Sequence, residues 1–417
     1  MCASAFNAAP AEQALLKSEV DQVNGRQRMA FAMRHQIPDR VPVMCQLALG
    51  HYFLNCSRPP HEIWFTSQGF AEALVELQRR YRFDGILINI PGRPENILRE
   101  VKSLEKTAEG EKLTWSNGSV TLLPWDDNPQ TYPADESQPT RADFMQIDPD
   151  HLDFVDDLVG YIWNTYHVPW IADKPDRGPL AQVPDYFLDT FDLVKSMVGD
   201  EISIHGEVFS PFTHYMELFG YEEALMGLVR DRGKAHALLD RLTTAAITWA
   251  VAQAERGADA VLISSAFAGG GFISPKMYKE FVVPYERRVA EAIKTAGGVV
   301  YTHTCGNLGD RLELMVESGT QGIDTMDPPP LGNTTLAEAK AQAGDRVFLK
   351  GNMNGVDLLL FTTEEEVIQH ATERIQVGKP GSGYILSTAC SVPPKVQPWK
   401  LELLTPLAEE TGRYEVE

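Results

Sequence analysis

The sequence predicts an α/β protein built as one (β/α)8 TIM barrel, and three observations carry that prediction. Short apolar runs recur eight times from Arg40 onward, helical patterns separate them, and the residues able to do chemistry gather at the C-terminal ends of the runs. The runs are VPVMCQ at 41–46, GILINI at 85–90, ISIHGEV at 202–208, AVLISSA at 260–266, GVVYTH at 298–303, GIDTMD at 322–327, VFLKGN at 347–352 and YILST at 384–388. Strands alternating with helices make parallel β/α units, and eight units suffice to close a barrel whose reactive residues face its C-terminal mouth.

The elements follow in order. A loose tail precedes a helical pattern in AEQALLKSEVDQVNGRQRMAFAMRHQ, so residues 1–39 are assigned to tail and helix and 40–417 to a single barrel domain. EKLTWSNGSVTLLP, at 111–124, alternates apolar residues around Asn117-Gly118, the pair that a type I′ turn prefers, and predicts a β-hairpin. Residues 126–185 are rich in Pro and Asp with one helix expected near 150–164, which makes 111–185 an insertion that serves as a lid or a docking surface. Long amphipathic helices are expected at 232–256 and 274–295, the second opening with Ser274 as N-cap and Pro275 at its first position.

Composition narrows the function. The chain has 417 residues, of which 43% are hydrophobic and 23% charged, enough apolar material for a large core. A net charge of −21 argues against nucleic acid and anionic membranes as partners, since either needs a basic face. Five thinly spread cysteines do not make a disulfide framework, and no stretch approaches 18 consecutive apolar residues. The expectation is a cytoplasmic protein, for which the sequence neither requires nor forbids a homodimer.

Two segments carry the chemistry. In VVYTHTCGN, His303 and Cys305 share strand parity and leave on one face; in ILSTACSVPP, Cys390 closes a later run. A lone buried thiol or strand-end imidazole is usually structural. Same-face spacing plus a distant third thiol instead predicts a metal site assembled through the fold, with a position left open for substrate, and zinc suits the donors. Asp327 ends the next strand and is a candidate fourth ligand, against the alternative of a loop-capping aspartate; Asp324 has the opposite parity. Glu207, flanked by His205, Phe209, Phe212 and Tyr215, is a candidate proton donor with His205. Gln46, His51, Tyr52, Asn89, Tyr215, Ser264 and Asn352 are expected to line the substrate pocket, although Ser264 and Ser265 are also suited to satisfying the turn's backbone. Zinc held by two thiolates, an imidazole and a carboxylate can activate a substrate thiol or polarise an ether oxygen so that its methyl group leaves, and both are methyl-transfer roles.

The segments GADAVLISSAFAGGGFISPKMYKEFVVPYERRV, THTCGN, VFLKGNMNGVDLLL and GYILSTACSVPP resemble the uroporphyrinogen decarboxylase superfamily from about Asp21 onward. The His-x-Cys pair with a distant Cys is similar to the zinc motif of its corrinoid-dependent methyltransferase branch. That resemblance implies zinc held by His303, Cys305 and Cys390, and methyl transfer to or from the cobalt of a corrinoid on a separate protein. Cobalamin-independent methionine synthases share the motif with an acid one strand later, which supports Asp327. The decarboxylases' RQAGRY-like and FSD-like elements are here CQLALGHY and INIPGR, so their carboxylate-binding arginines and their aspartate are missing. The Asp-x-His-x-x-Gly corrinoid signature is absent too, so cobalt is expected on a partner. The leading expectation is transfer from a small methylated substrate, such as a methoxylated aromatic, to cob(I)alamin. The alternatives are a methylcobalamin:thiol methyltransferase, a uroporphyrinogen decarboxylase-like enzyme and a non-catalytic metal- or corrinoid-docking barrel.

Overall fold

A computed structural model describes residues 23–135, 141–150, 152 and 183–415. Its centre is a seven-stranded parallel sheet in the order β1 (Gly85–Ile88), β6 (Ser203–Phe209), β7 (Ala260–Ser264), β8 (Val299–Thr304), β9 (Gly322–Thr325), β10 (Phe348–Met353) and β11 (Tyr384–Thr388). The remaining strands are β2 (Val101–Lys106), β3 (Gly110–Trp115), β4 (Val120–Pro124) and β5 (Gln130–Tyr132), which form a separate antiparallel sheet. The parallel sheet curls into part of a barrel with helices outside it, a distorted TIM-barrel-like arrangement.

The first predicted strand is the departure. Residues 41–46 make only isolated bridges, because Pro42 has no N–H to give a ladder. The segment still spans the seam between the sheet's edges. Met44 N–H donates to Leu386 O, Leu386 N–H to Pro42 O, and Asp84 N–H to Val43 O at 2.8–3.0 Å. Around the ring, side chains of one register row point the same way, and the lower rows are apolar. Met44, Leu87, Leu262, Tyr301, Phe348 and Ile385 fill the interior. The helix Gly25–Met33 closes the floor by inserting Met29, Ala32 and Met33 into the same cluster. A capping box at Asn24 and Gln27 sets where that helix starts.

The hairpin expected at 111–124 is the pair β3 and β4, turning at Gly118 with φ +87°, and it is widened by β2 and β5 into four strands. The sequence reading did not anticipate those flanking strands. The helix expected near 150–164 lies outside the described residues, as do the tail with Cys2 and residues 11–22 of the first helical pattern. The helix Arg232–Glu255 is continuous, capped by Asp231. The helix expected over 274–295 breaks at Val282 into Pro275–Phe281 and Val283–Thr295, where Pro284 removes a donor the uninterrupted helix would need.

Candidate metal centre

Strand β8 delivers His303 to the C-terminal end of the sheet, Cys305 follows on the loop, and Cys390 arrives just after β11. Their ligand atoms lie within 4.8 Å of one another. His303 Nε2 is 3.2 Å from Cys305 Sγ and 3.9 Å from Cys390 Sγ, and the two sulfurs are 3.9 Å apart. Tetrahedral zinc at ordinary bond lengths puts thiolates about 3.8 Å apart and a nitrogen about 3.6 Å from each sulfur. The donors therefore span the triangular face such an ion needs, and their chemistry suits it. The hydrogen bond between the two thiols holds Cys390 well below the ordinary thiol range and drives Cys305 above it.

The loop geometry depends on glycine. Gly306 sits at φ +77°, and a side chain on Gly269, in the run after β7, would come within 2.1 Å of the Cys305 carbonyl oxygen. Asp327 clamps the same loop, its Oδ2 accepting from Gly306 N–H at 2.7 Å. Among the described residues no carboxylate joins the three donors within that spread, so Asp327 stands as the loop cap rather than in the place of a fourth ligand.

Below the donors lies a polar set of which the sequence reading weighed Asp324 alone and discounted it for its parity. Asp324 is in register with His303 across β8 and β9, and Oδ2 is 3.0 Å from His303 Nδ1. Thr325 Oγ1 is 2.7 Å from the same nitrogen. Lys350, in register with Asp324 on β10, donates to Asp324 Oδ1 at 3.0 Å. Burial pushes the Asp324 carboxyl up, but Lys350 and His303 outweigh it and hold the group below the usual range. An Asp and a Lys inside the apolar runs GIDTMD and VFLKGN were the available signal, since such residues are almost never fully buried unless paired.

Glu207 is buried on β6, and loss of water pushes its carboxyl up to about 7, with His303 and a hydrogen bond from Ser264 pulling the other way. Ser264 lies in register with His303, so these two candidates share the neighbourhood of the donors. His205 does not. Its ring nitrogens contact Tyr301 Oη at 2.9 Å and Ser203 Oγ at 3.1 Å, and burial depresses it to about 3, so at neutral pH it is the uncharged imidazole and lacks the acidic proton of an imidazolium. It is a packing residue of the barrel interior.

Several expected pocket residues also sit elsewhere. His51 spans Tyr81 Oη and the Pro394 carbonyl. Tyr215 donates to Ala224 O within an aromatic cluster containing Phe144 and Phe219. Asn352 gives Nδ2 to Met326 O and borders a cleft of about 330 Å³ with Leu336 and Val377, from the helices Leu336–Ala343 and Glu364–Gly378. Gln46, Tyr52 and Asn89 line a cavity of about 20 Å³ at the seam, with room for about one water. Cys45 is buried and pushed up to about 11, and Cys56 points Sγ at Ala73 O; neither joins the cluster. Among the described residues no helix is long and apolar enough to cross a membrane.

Comparison with known proteins agrees with this architecture. The family model described as uroporphyrinogen decarboxylase (URO-D) matches residues 172–411. Uroporphyrinogen decarboxylase of Chlorobium phaeovibrioides is 29% identical over 257 residues, covering 57% of this chain and 70% of the relative. The methylcobamide:CoM methyltransferase MtaA of Methanosarcina barkeri is 26% identical over 223 residues, 54% of this chain and 61% of that protein. MtbA of Methanosarcina acetivorans, with the same printed activity, is 25% identical over 48% of this chain and 58% of its own. A solved methyltransferase from Methanosarcina mazei superposes over 93% of this chain and 99% of its own with TM-score 0.64 at 17% identity, a likeness of fold. With more than half of its length matched by that one model, the chain belongs to the uroporphyrinogen decarboxylase family and is related to the methylcobamide:CoM methyltransferases.

Proposed function

We propose that this protein is a zinc-dependent methyltransferase, closed as a (β/α)8 barrel in the cytoplasm, that moves a methyl group between a small methylated substrate and the cobalt of a corrinoid carried by a separate protein. One observation carries the reading: two sulfurs and an imidazole nitrogen from separate strand ends, spaced as the face of a tetrahedral zinc site. His303, Cys305 and Cys390 would hold the ion and leave one position for substrate. Bound there, zinc supplies Lewis acidity that polarises an ether oxygen or lowers the pKa of a thiol, tempered by its two thiolate donors.

The chain's own groups do the rest. Glu207, buried beside Ser264, holds a proton near neutrality and delivers it to the oxygen that the methyl group leaves. Asp327 fixes the loop of Cys305 through the Gly306 N–H, which keeps the thiol in place without occupying the open position. The decarboxylase reading is weaker, because the arginine-bearing element of that activity is replaced by CQLALGHY.

A second reading is favoured by the names of MtaA and MtbA, whose printed acceptor is the thiol CoM. There the methyl group travels from methylcobamide to a thiol, and Glu207 takes up the thiol proton. One experiment separates the two: the zinc-loaded protein is mixed with reduced cobalamin and methyl ethers, or with methylcobalamin and thiols, and the cobalt spectrum is followed. Methylation of cobalt by an ether supports the first reading and thiol-dependent loss of methylcobalamin the second. A spectrum unchanged in both arms with the corrinoid partner present would overturn methyl transfer.

A further inference from the structure

A row of inward side chains crosses the sheet just beneath the donors. In register, Ser264 of β7 neighbours His303 of β8, His303 neighbours Asp324 of β9, and Asp324 neighbours Lys350 of β10. Asp324 is 2% exposed and Lys350 1%. Burying such a pair is costly, and replacing one by well-packed apolar residues is often neutral or stabilising, so its presence calls for a reason beyond holding the barrel together.

The contacts supply one. An ionised carboxylate only accepts, so Asp324 Oδ2 at 3.0 Å requires a proton on His303 Nδ1. With that proton on Nδ1 the neutral ring has its lone pair on Nε2, the nitrogen that faces both sulfurs. Thr325 Oγ1, at 2.7 Å, can accept from the same N–H. Lys350 occupies Oδ1 and so fixes which oxygen turns to the imidazole. The backbone holds the arrangement: Thr325 and Met326 adopt φ of +85° and +54°, strained for residues with side chains, immediately after Asp324.

We propose that Asp324 and Lys350 are a positioning pair for the metal site, in which Lys350 orients the Asp324 carboxylate and Asp324 sets the tautomer of His303 that presents Nε2 to the metal. The assignment rests on the metal reading above, but it makes a distinct claim about one proton. It also predicts that removing a second residue repairs the first loss. In Asp324→Asn the amide oxygen is drawn to the Lys350 ammonium, so the NH2 group faces His303 Nδ1 and donates to it. The imidazole proton is displaced to Nε2 and the ligand is blocked. In Asp324→Asn with Lys350→Met no ammonium steers the amide, its oxygen turns back to Nδ1–H, and Nε2 is free again.

The test is zinc affinity measured by competition with a chromophoric chelator, beside the thiolate-to-metal bands of the cobalt(II)-substituted proteins. Asp324→Asn is expected to bind about 10–100-fold more weakly, and the double variant to recover most of that loss. Asp324→Asn binding as the wild type does overturns the pair, and so does a double variant no tighter than the single one, which is what a purely structural ion pair would give. Should Asp324→Asn fail to fold, 15N spectra of the zinc-loaded wild type decide instead: a proton on His303 Nδ1 supports the assignment and a bare Nδ1 overturns it. A wild type that takes up no zinc at all would fail the metal reading itself, and the pair with it.

Discussion

Two storeys of the same barrel differ in one respect. In the lower storey, polar groups are matched: His205 has Tyr301 and Ser203, and Asp324 has Lys350 and His303. Around them Phe348, Leu262 and Ile385 pack with the floor helix. In the upper storey the matching stops. Two thiols and an imidazole nitrogen converge on one another, and Glu207 is a buried carboxyl for which loss of water outweighs the pull of His303. The lower groups spend their bonding capacity on each other, whereas the upper groups keep theirs for something that arrives from outside.

That contrast can be broken most severely at the thiols. Cys305→Ala or Cys390→Ala should take zinc from about one per chain to none by elemental analysis, with a thermal midpoint close to wild type, because these side chains hold up little else. If the midpoint collapsed together with the metal, the upper storey would be structural after all. The lower storey should answer in the opposite way. Lys350→Met strands the Asp324 charge and should cost about 3–5 kcal/mol in urea denaturation.

Glu286 sharpens the comparison from outside the ring. It is fully buried with the Ser265 and Tyr278 hydroxyls beside it, and burial pushes it up to about 7. Its folded pKa lies above its unfolded one, so folding carries no penalty from this group below about pH 4.5. The penalty then grows as pH rises to about 7 and stays constant above. Glu286→Gln should therefore be more stable than wild type at pH 8 by about 3 kcal/mol, an advantage that has nearly vanished at pH 4.5. Denaturant midpoints at the two pH values measure it; equal differences at both would show that the carboxyl does not titrate there. The smallest effect is expected at Tyr301→Phe, which deletes one partner of the buried His205. A loss of about 1–2 kcal/mol with unchanged zinc affinity would keep the storeys separate, and a change in affinity would couple them.

Much of this was legible before any coordinates. Seven of the eight apolar runs are strands, and the pairing of His303 and Cys305 with Cys390 followed from parity and run ends. Counting parity failed one strand later. It linked Asp327 to the site and discounted Asp324, but β9 ends at Thr325 and the chain passes through two left-handed residues, so alternation no longer holds at Asp327. Asp324 meanwhile stands beside His303 through register, which a single strand read alone does not reveal. His51 and Tyr215 were illegible for another reason. Both follow a strand or bridge closely, yet their helices turn them into the packing around the barrel, and nothing in a residue's type tells which way its helix will roll.

The seam has a mechanical consequence. Adjacent members of the seven-stranded sheet are zipped along ladders of four or five matched residues, while 42–47 clings to its neighbours by single bridges. Stress placed on the rim, such as a bulky visitor entering from above, is relieved where the fastening is lightest. The lightest fastening of the ring lies beside Gln46, whose carbonyl accepts from Val392 N–H just beyond Cys390.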